Sequence, residues 1–207
     1  MNKSLPRNLS IFLLFIFAIF TIFVHFGFFK SVDLGVTINI QNYFPRSLSF
    51  VFSVFSLFGS LEIAVLILLP VLYLYKKLNY FYVLLFFAIL HVLEFIGKVF
   101  VNHPGPTSKF FLYDIPFVFP SSSVRPGSSY PSGHLGRTLF ISVIIFYIIS
   151  KSKRFSATYK QIFYLLIIIF NIIMFISRIY LGEHWLSDVI GGSILGTCLG
   201  FASLAFL

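Results

Sequence analysis

The sequence predicts an all-α protein, a six-transmembrane-helix bundle, on three observations. Hydrophobic residues fill 58% of its 207 positions and charged residues 10%, with a mean hydropathy of +0.98, which leaves too little polar surface to coat a soluble globule. Thirty Phe and eleven Tyr accompany only six acidic residues, so lipid must solvate the exterior. The apolar residues gather in runs near the length of a membrane-spanning helix, with neither the alternation of a β-barrel nor an internal repeat. Disorder fails on the same composition. A disulfide scaffold fails because Cys198 is the single cysteine. The net charge of +9 would suggest nucleic acid in a soluble chain; here much of it lies in short loops between apolar runs, so membrane topology explains it and no nucleic-acid partner is expected.

The first run, 11–29, is uncharged and preceded by Lys3 and Arg7. It lacks the short apolar region and small-residue cleavage site of a secretory signal, and reads as an uncleaved anchor. Further spans are expected at 57–75, 80–101, 134–150, 159–177 and 186–207. Two long connections remain, 30–56 and 102–133. The second holds Pro104, Pro106, Pro116, Pro120, Pro126 and Pro131, which forbids a continuous helix. The whole chain reads as one integral membrane domain, 1–207, with a core at about 57–207.

Orientation follows from the basic residues. The N-terminus and the loops after spans two and four hold Lys3, Arg7, Lys76, Lys77, Lys151, Lys153, Arg154 and Lys160 with no acidic residue among them, which assigns them to the cytoplasm. The other side holds Lys30, Arg46, Lys98, Lys109, Arg125, Arg137 and Arg178, accompanied by Asp33, Asp114, Glu183 and Asp188. The expected location is the plasma membrane, with the N-terminus inside.

Ionisable residues at span ends are functional candidates, because lipid makes them costly. His91, Glu94 and Lys98 share one helix face at the end of span three. His134 opens span four, Arg178 closes span five, and His184 and Asp188 open span six. Antiparallel alternation carries all four ends to one membrane face, the extracytoplasmic one. In span six, His184, Asp188, Gly192, Gly196 and Gly200 recur every four residues, a stripe that admits a close neighbour and so faces protein. Three readings of His184 and Asp188 stand side by side: an ordinary polar pair at a helix end, a histidine oriented by its carboxylate as base or nucleophile, and a metal ligand pair that no further Cys or carboxylate completes. Tyr130-Pro131-Ser132-Gly133-His134 precedes a helix, so Ser132 is either a plain cap or part of an anion site made with helix-end N–H groups. Lys98 and Arg178 can snorkel at the interface or hold an oxyanion. Taken together, these groups can bind a tetrahedral phosphoryl group, attack it through His184 and protonate its leaving oxygen from His134.

Two ordered blocks carry a family resemblance: Pro131-Ser132-Gly133-His134, and Ser177-Arg178 followed after five residues by His184 and after three more by Asp188. Each has four fixed positions, a chance of roughly one in 160,000 per starting point, so their ordered pairing is specific. From about Leu57 onward the chain resembles the type 2 phosphatidic acid phosphatase (PAP2) superfamily, histidine lipid phosphatases related to vanadium haloperoxidases. The resemblance implies a PAP2/haloperoxidase-like helical core. It implies His184 as phosphohistidine nucleophile, Asp188 as its orienter and His134 as general acid, with Lys98, Arg178, Ser132 and the Gly133 amide on the phosphoryl oxygens. It implies no metal and no cofactor. The first block departs from the family pattern of Lys, six residues, Arg-Pro: after Lys98, Gly105 stands where the arginine belongs. Arg137, one turn after His134, or Arg125 in the preceding loop can replace it, and helix geometry favours Arg137.

The expected function is hydrolysis of a lipid phosphomonoester or pyrophosphate, of polyprenyl pyrophosphate or phosphatidate type, reached from the outer leaflet. A lipid phosphotransferase shares the same chemistry. Transport is the other class, suggested by Glu62, His91, Glu94 and Lys98, but these groups collect toward one face without an inverted repeat.

Overall fold

The computed structural model describes residues 4–76, 78–120 and 127–206; Lys3, Lys77, Arg125 and Pro126, used above, lie outside the described residues. Among the described residues all regular structure is helical: α1 (Ser4–His25), α2 (Lys30–Tyr43), α3 (Leu48–Ser56), α4 (Leu61–Leu74), α5 (Tyr80–Phe100), α6 (Gly133–Lys151), α7 (Ala157–Tyr180) and α8 (Leu186–Leu204), with 3-10 turns at Leu57–Gly59 and Ser108–Phe110. Helices α1, α5, α6, α7 and α8 are each long and apolar enough to cross a bilayer, and α3 with α4 makes a sixth when that bent pair is taken as one span.

That pair departs from the expected straight span at 57–75. Its two halves meet at 52°. Ser60 adopts an extended conformation (φ −65°, ψ 157°) and its hydroxyl accepts the Ile63 N–H at 3.4 Å, so a new helix is capped where hydropathy runs on unbroken. Alone, the 14 residues of α4 rise only about 21 Å, short of the roughly 30 Å hydrocarbon layer. The connection 30–56 is likewise more ordered than expected, since it forms α2 and α3. Helix α2 buries Asp33 and Thr37 and packs on α7 and α8.

Helices α6 and α8 form the centre. They touch along the glycine stripe: a side chain at Gly192 would collide with the Ser132 carbonyl, and one at Gly196 with the Gly136 backbone. Helix α1 lies along α8, where the Cys198 thiol donates to the Ser10 carbonyl at 3.3 Å. Leu68, Leu90, Phe140, Ile144 and Leu195 knit α4, α5, α6 and α8 into the largest apolar cluster. Outward, Phe15, Leu66, Phe95 and Leu165 are exposed, as suits surfaces solvated by acyl chains. The chain is an integral membrane protein of all-helical architecture.

Candidate active site

The turn between α7 and α8 builds the first half of the site. Gly182 ends α7 with a positive φ of 67°, the left-handed conformation that glycine adopts most cheaply, and the Phe110 carbonyl packs where a side chain would stand. The Leu181 and Gly182 N–H groups close on Ser177 and Ile179 carbonyls at 2.9 and 3.0 Å, and the His184 N–H returns to the Arg178 carbonyl at 3.2 Å. With five residues between them, the chain thus turns back to set His184 beside Arg178.

His184 is 8% exposed and its Nδ1 lies 3.3 Å from Asp188 Oδ2. The same carboxylate oxygen accepts the Trp185 N–H at 2.9 Å, so Asp188 both caps α8 and orients the imidazole. Burial holds the His184 ring below its ordinary pKa, opposed by the Asp188 carboxylate. Burial thus favours the neutral ring, and a proton placed on Nδ1 toward Asp188 leaves the Nε2 lone pair available.

Arg178 is 2% exposed. One guanidinium nitrogen, Nη2, pairs with Glu183. Its Nε and Nη1 are buried without a hydrogen-bond partner among the described residues, two unspent donors of the kind that an anion satisfies. A small cavity of about 10 Å³, room for roughly one water, is lined in part by His134, Arg178, Glu183, Ser56, Ser60 and Tyr113.

The second half hangs on Glu94. Its Oε1 accepts from Lys98 Nζ at 2.6 Å and its Oε2 from Arg137 Nη1 at 3.0 Å, while Arg137 Nε donates to the Gly59 carbonyl at 2.8 Å. The Glu94 carboxylate rests on Gly133, where no side chain fits, and Gly59 leaves room for the His134 ring. The bend after α3 thereby becomes part of the site. Ser132 is fully buried with its Oγ unpartnered among the described residues, and its N–H donates to the Asp188 carbonyl at 2.9 Å, tying the start of α6 to the start of α8.

His134, His184, Lys98, Arg137 and Arg178 are mutually close enough for their charges to act on the His134 ring. The residues singled out in the sequence, Lys98, Ser132, Gly133, His134, Arg137, Arg178, His184 and Asp188, therefore form one cluster. Arg137 enters it with two of its nitrogens already committed to Glu94 and Gly59. Gly105 sits against Ser129, and Arg125 lies outside the described residues. His91 bonds the Phe87 carbonyl one turn back at 2.8 Å. Sequence reasoning passed over Gly59 and Glu183, which lie against His134 and Arg178, and Asp33 and His103, which lie against Ser187 and Asp188. Asp33 is the single acidic residue of the connection 30–56, and His103 stands beside the departing first block; those were the available signals. Among the described residues no group of three or more His, Cys, Asp or Glu is placed to hold a metal ion.

The fold and cluster define a class: a helical membrane protein with an oriented histidine facing a buried cationic pocket at one end of its bundle. The chain belongs to the PAP2 superfamily, whose family model matches residues 76–207. Phosphatidylglycerophosphatase B of Bacillus subtilis (strain 168) is 35% identical over 78 residues, a stretch spanning 38% of either chain. Two crystal structures share the fold. A transmembrane PAP2-type phosphatidylglycerolphosphate phosphatase from Bacillus subtilis superimposes with a TM-score of 0.74 over 95% of this chain and 94% of that one, at 24% identity. LpxE of Aquifex aeolicus gives 0.61 over 84% and 94%, at 25% identity.

Proposed function

We propose that this chain is a membrane lipid phosphatase that hydrolyses a lipid phosphomonoester or pyrophosphate through a phosphohistidine on His184, without a metal. The observation that carries the reading is the pairing of a buried imidazole bonded to Asp188 with a buried Arg178 that has two unspent N–H donors among the described residues. Arg178, Lys98, the Ser132 hydroxyl and the Gly133 amide hold the phosphoryl oxygens, and Arg137 adds positive charge from its bracket on Glu94 and Gly59. His184 Nε2 attacks phosphorus as the bond to the lipid oxygen breaks, and His134 delivers a proton to that oxygen. Water then attacks the phosphohistidine, giving its proton to His134, and inorganic phosphate leaves. The cationic pocket stabilises the charge that builds on the phosphoryl oxygens in both steps.

The similarity to phosphatidylglycerophosphate phosphatases puts a glycerophospholipid monoester first among substrates, ahead of polyprenyl pyrophosphate. Charge asymmetry supports a plasma-membrane orientation with the N-terminus inside and the site outside. The test is a panel of phosphatidylglycerophosphate, phosphatidate and polyprenyl pyrophosphate in detergent with EDTA present, using wild type and His184→Ala. The expected result is phosphate release from at least one lipid by wild type and its loss in the variant. Release unchanged by His184→Ala, or abolished by EDTA in wild type, defeats the reading. Labelled phospholipid formed in place of free phosphate would assign a phosphotransferase instead.

A further inference from the structure

Behind the His184–Asp188 pair lies a second, fully buried polar layer that no step above uses. Asp33 of α2, His103 of the proline-rich connection and Ser187 of α8 are 2%, 3% and 1% exposed. Asp33 Oδ1 accepts the Ser187 backbone N–H at 2.8 Å, and Asp33 Oδ2 accepts the Ser187 hydroxyl at 2.8 Å. With its proton spent on Asp33, the Ser187 oxygen is left to accept from His103 Nε2, 3.0 Å away. That assigns the ring proton to Nε2. The same nitrogen lies 3.4 Å from Asp188 Oδ1 and 3.7 Å from Asp33 Oδ2. Asp188 Oδ1 makes no hydrogen bond among the described residues, and the His103 N–H lies beside it at the back of the carboxylate.

We propose that His103 and Asp33 are positioning residues for the phosphoryl transfer: they fix the rotation of the Asp188 carboxylate and the start of α8, and so aim His184 Nε2 at phosphorus. The proposal rests on the phosphatase reading. Its physical basis is that Asp188 has two oxygens and only one of them is held by the segment that carries His184. The other is buried at 0% exposure without a hydrogen bond, which is costly unless a positive group faces it. His103, whose Nε2–H is given to Ser187, brings the positive end of that N–H to 3.4 Å from this oxygen, an electrostatic contact. Asp33 holds Ser187, the residue before Asp188, from a helix that precedes the matched family region, adding its carboxylate to the N-terminal end of α8 where negative charge is favoured.

The experiment measures kcat and KM on the lipid that wild type hydrolyses and His184→Ala does not. His103→Ala, His103→Gln, Asp33→Ala and Asp33→Asn are each assayed alone and combined with Asp188→Asn. We expect His103→Ala and Asp33→Ala to lower kcat about 10- to 100-fold with KM changed by less than about 3-fold. His103→Gln, which keeps an N–H donor, recovers most of the loss. In the Asp188→Asn background the same substitutions have little further effect, because their action passes through that carboxylate. Wild-type kcat in both alanine variants overturns the inference, as does an equal fold loss with Asp188 already replaced. Should an alanine variant fail to purify as a monodisperse species, His103→Gln and Asp33→Asn in the same double-mutant cycle carry the same decision. If His184→Ala retains turnover, the phosphatase reading itself has failed; if it does not and His103→Ala matches wild type, only this inference has.

Discussion

At the residue scale, the His184 imidazole is expected to set the acid limb of the pH dependence. Burial lowers the His184 pKa beneath the ordinary value of 6.5, and in the proposed mechanism the attacking species is the neutral ring. Activity is therefore expected to persist as pH falls to 6.5 and to decline only as the lowered pKa is crossed. A profile of kcat/KM from about pH 4.5 to 8 should show its acid limb centred below 6.5; a limb above that value would mean that His184 is not held neutral by burial. The catalytic candidates were legible because their chemistry demands fixed identities at fixed spacings, as in Pro131 to His134 and Ser177 to Asp188. His103 and Asp33 were not, since they meet through space, 70 residues apart along the chain, and nothing local to either marks it.

At the element scale, the spans were legible from hydropathy, but the bend between α3 and α4 was not. An average over 57–75 smooths out Gly59 and Ser60, although Ser60 caps a new helix and Gly59 gives the His134 ring its space. The connection 30–56 was invisible as helix for a related reason: α2 mixes Asp33, Thr37, Asn39 and Gln41 with apolar residues, too polar to register as a span. The α7–α8 turn offers a direct test. Gly182→Ala forces a side chain into a left-handed conformation, at about 1–2 kcal/mol, and also against the Phe110 carbonyl. It should lower the thermal midpoint in detergent and reduce turnover more than a control Gly35→Ala, which has open space around its Cα. Equal stability of the two variants would remove Gly182 from this role.

For the whole molecule, alternation of the spans determines which ends meet, and the end of α5, the start of α6, the end of α7 and the start of α8 do share one pole of the bundle. The proposed orientation puts that pole outside. Cys198 is buried, so a Cys198→Ala background can carry reporter thiols at exposed sites. An impermeant thiol reagent applied to intact cells should label Ser108→Cys, in the connection beside the site, and should reach Ala157→Cys only after permeabilisation. The opposite pattern would invert the topology.

Composition and motif spacing by themselves determined that this chain dissolves in a bilayer, folds as helices and carries a histidine–aspartate pair with its cations. Those properties follow from local period, from solvation and from residue identity at short separation. Only the tertiary structure decided that Glu94 joins Lys98 to Arg137, that a bend at Gly59 completes the pocket, and that Asp33 and His103 back the orienting carboxylate. Each of these is a contact between distant segments, and the bond energy of such a pair depends on burial and geometry that exist only after the helices have packed.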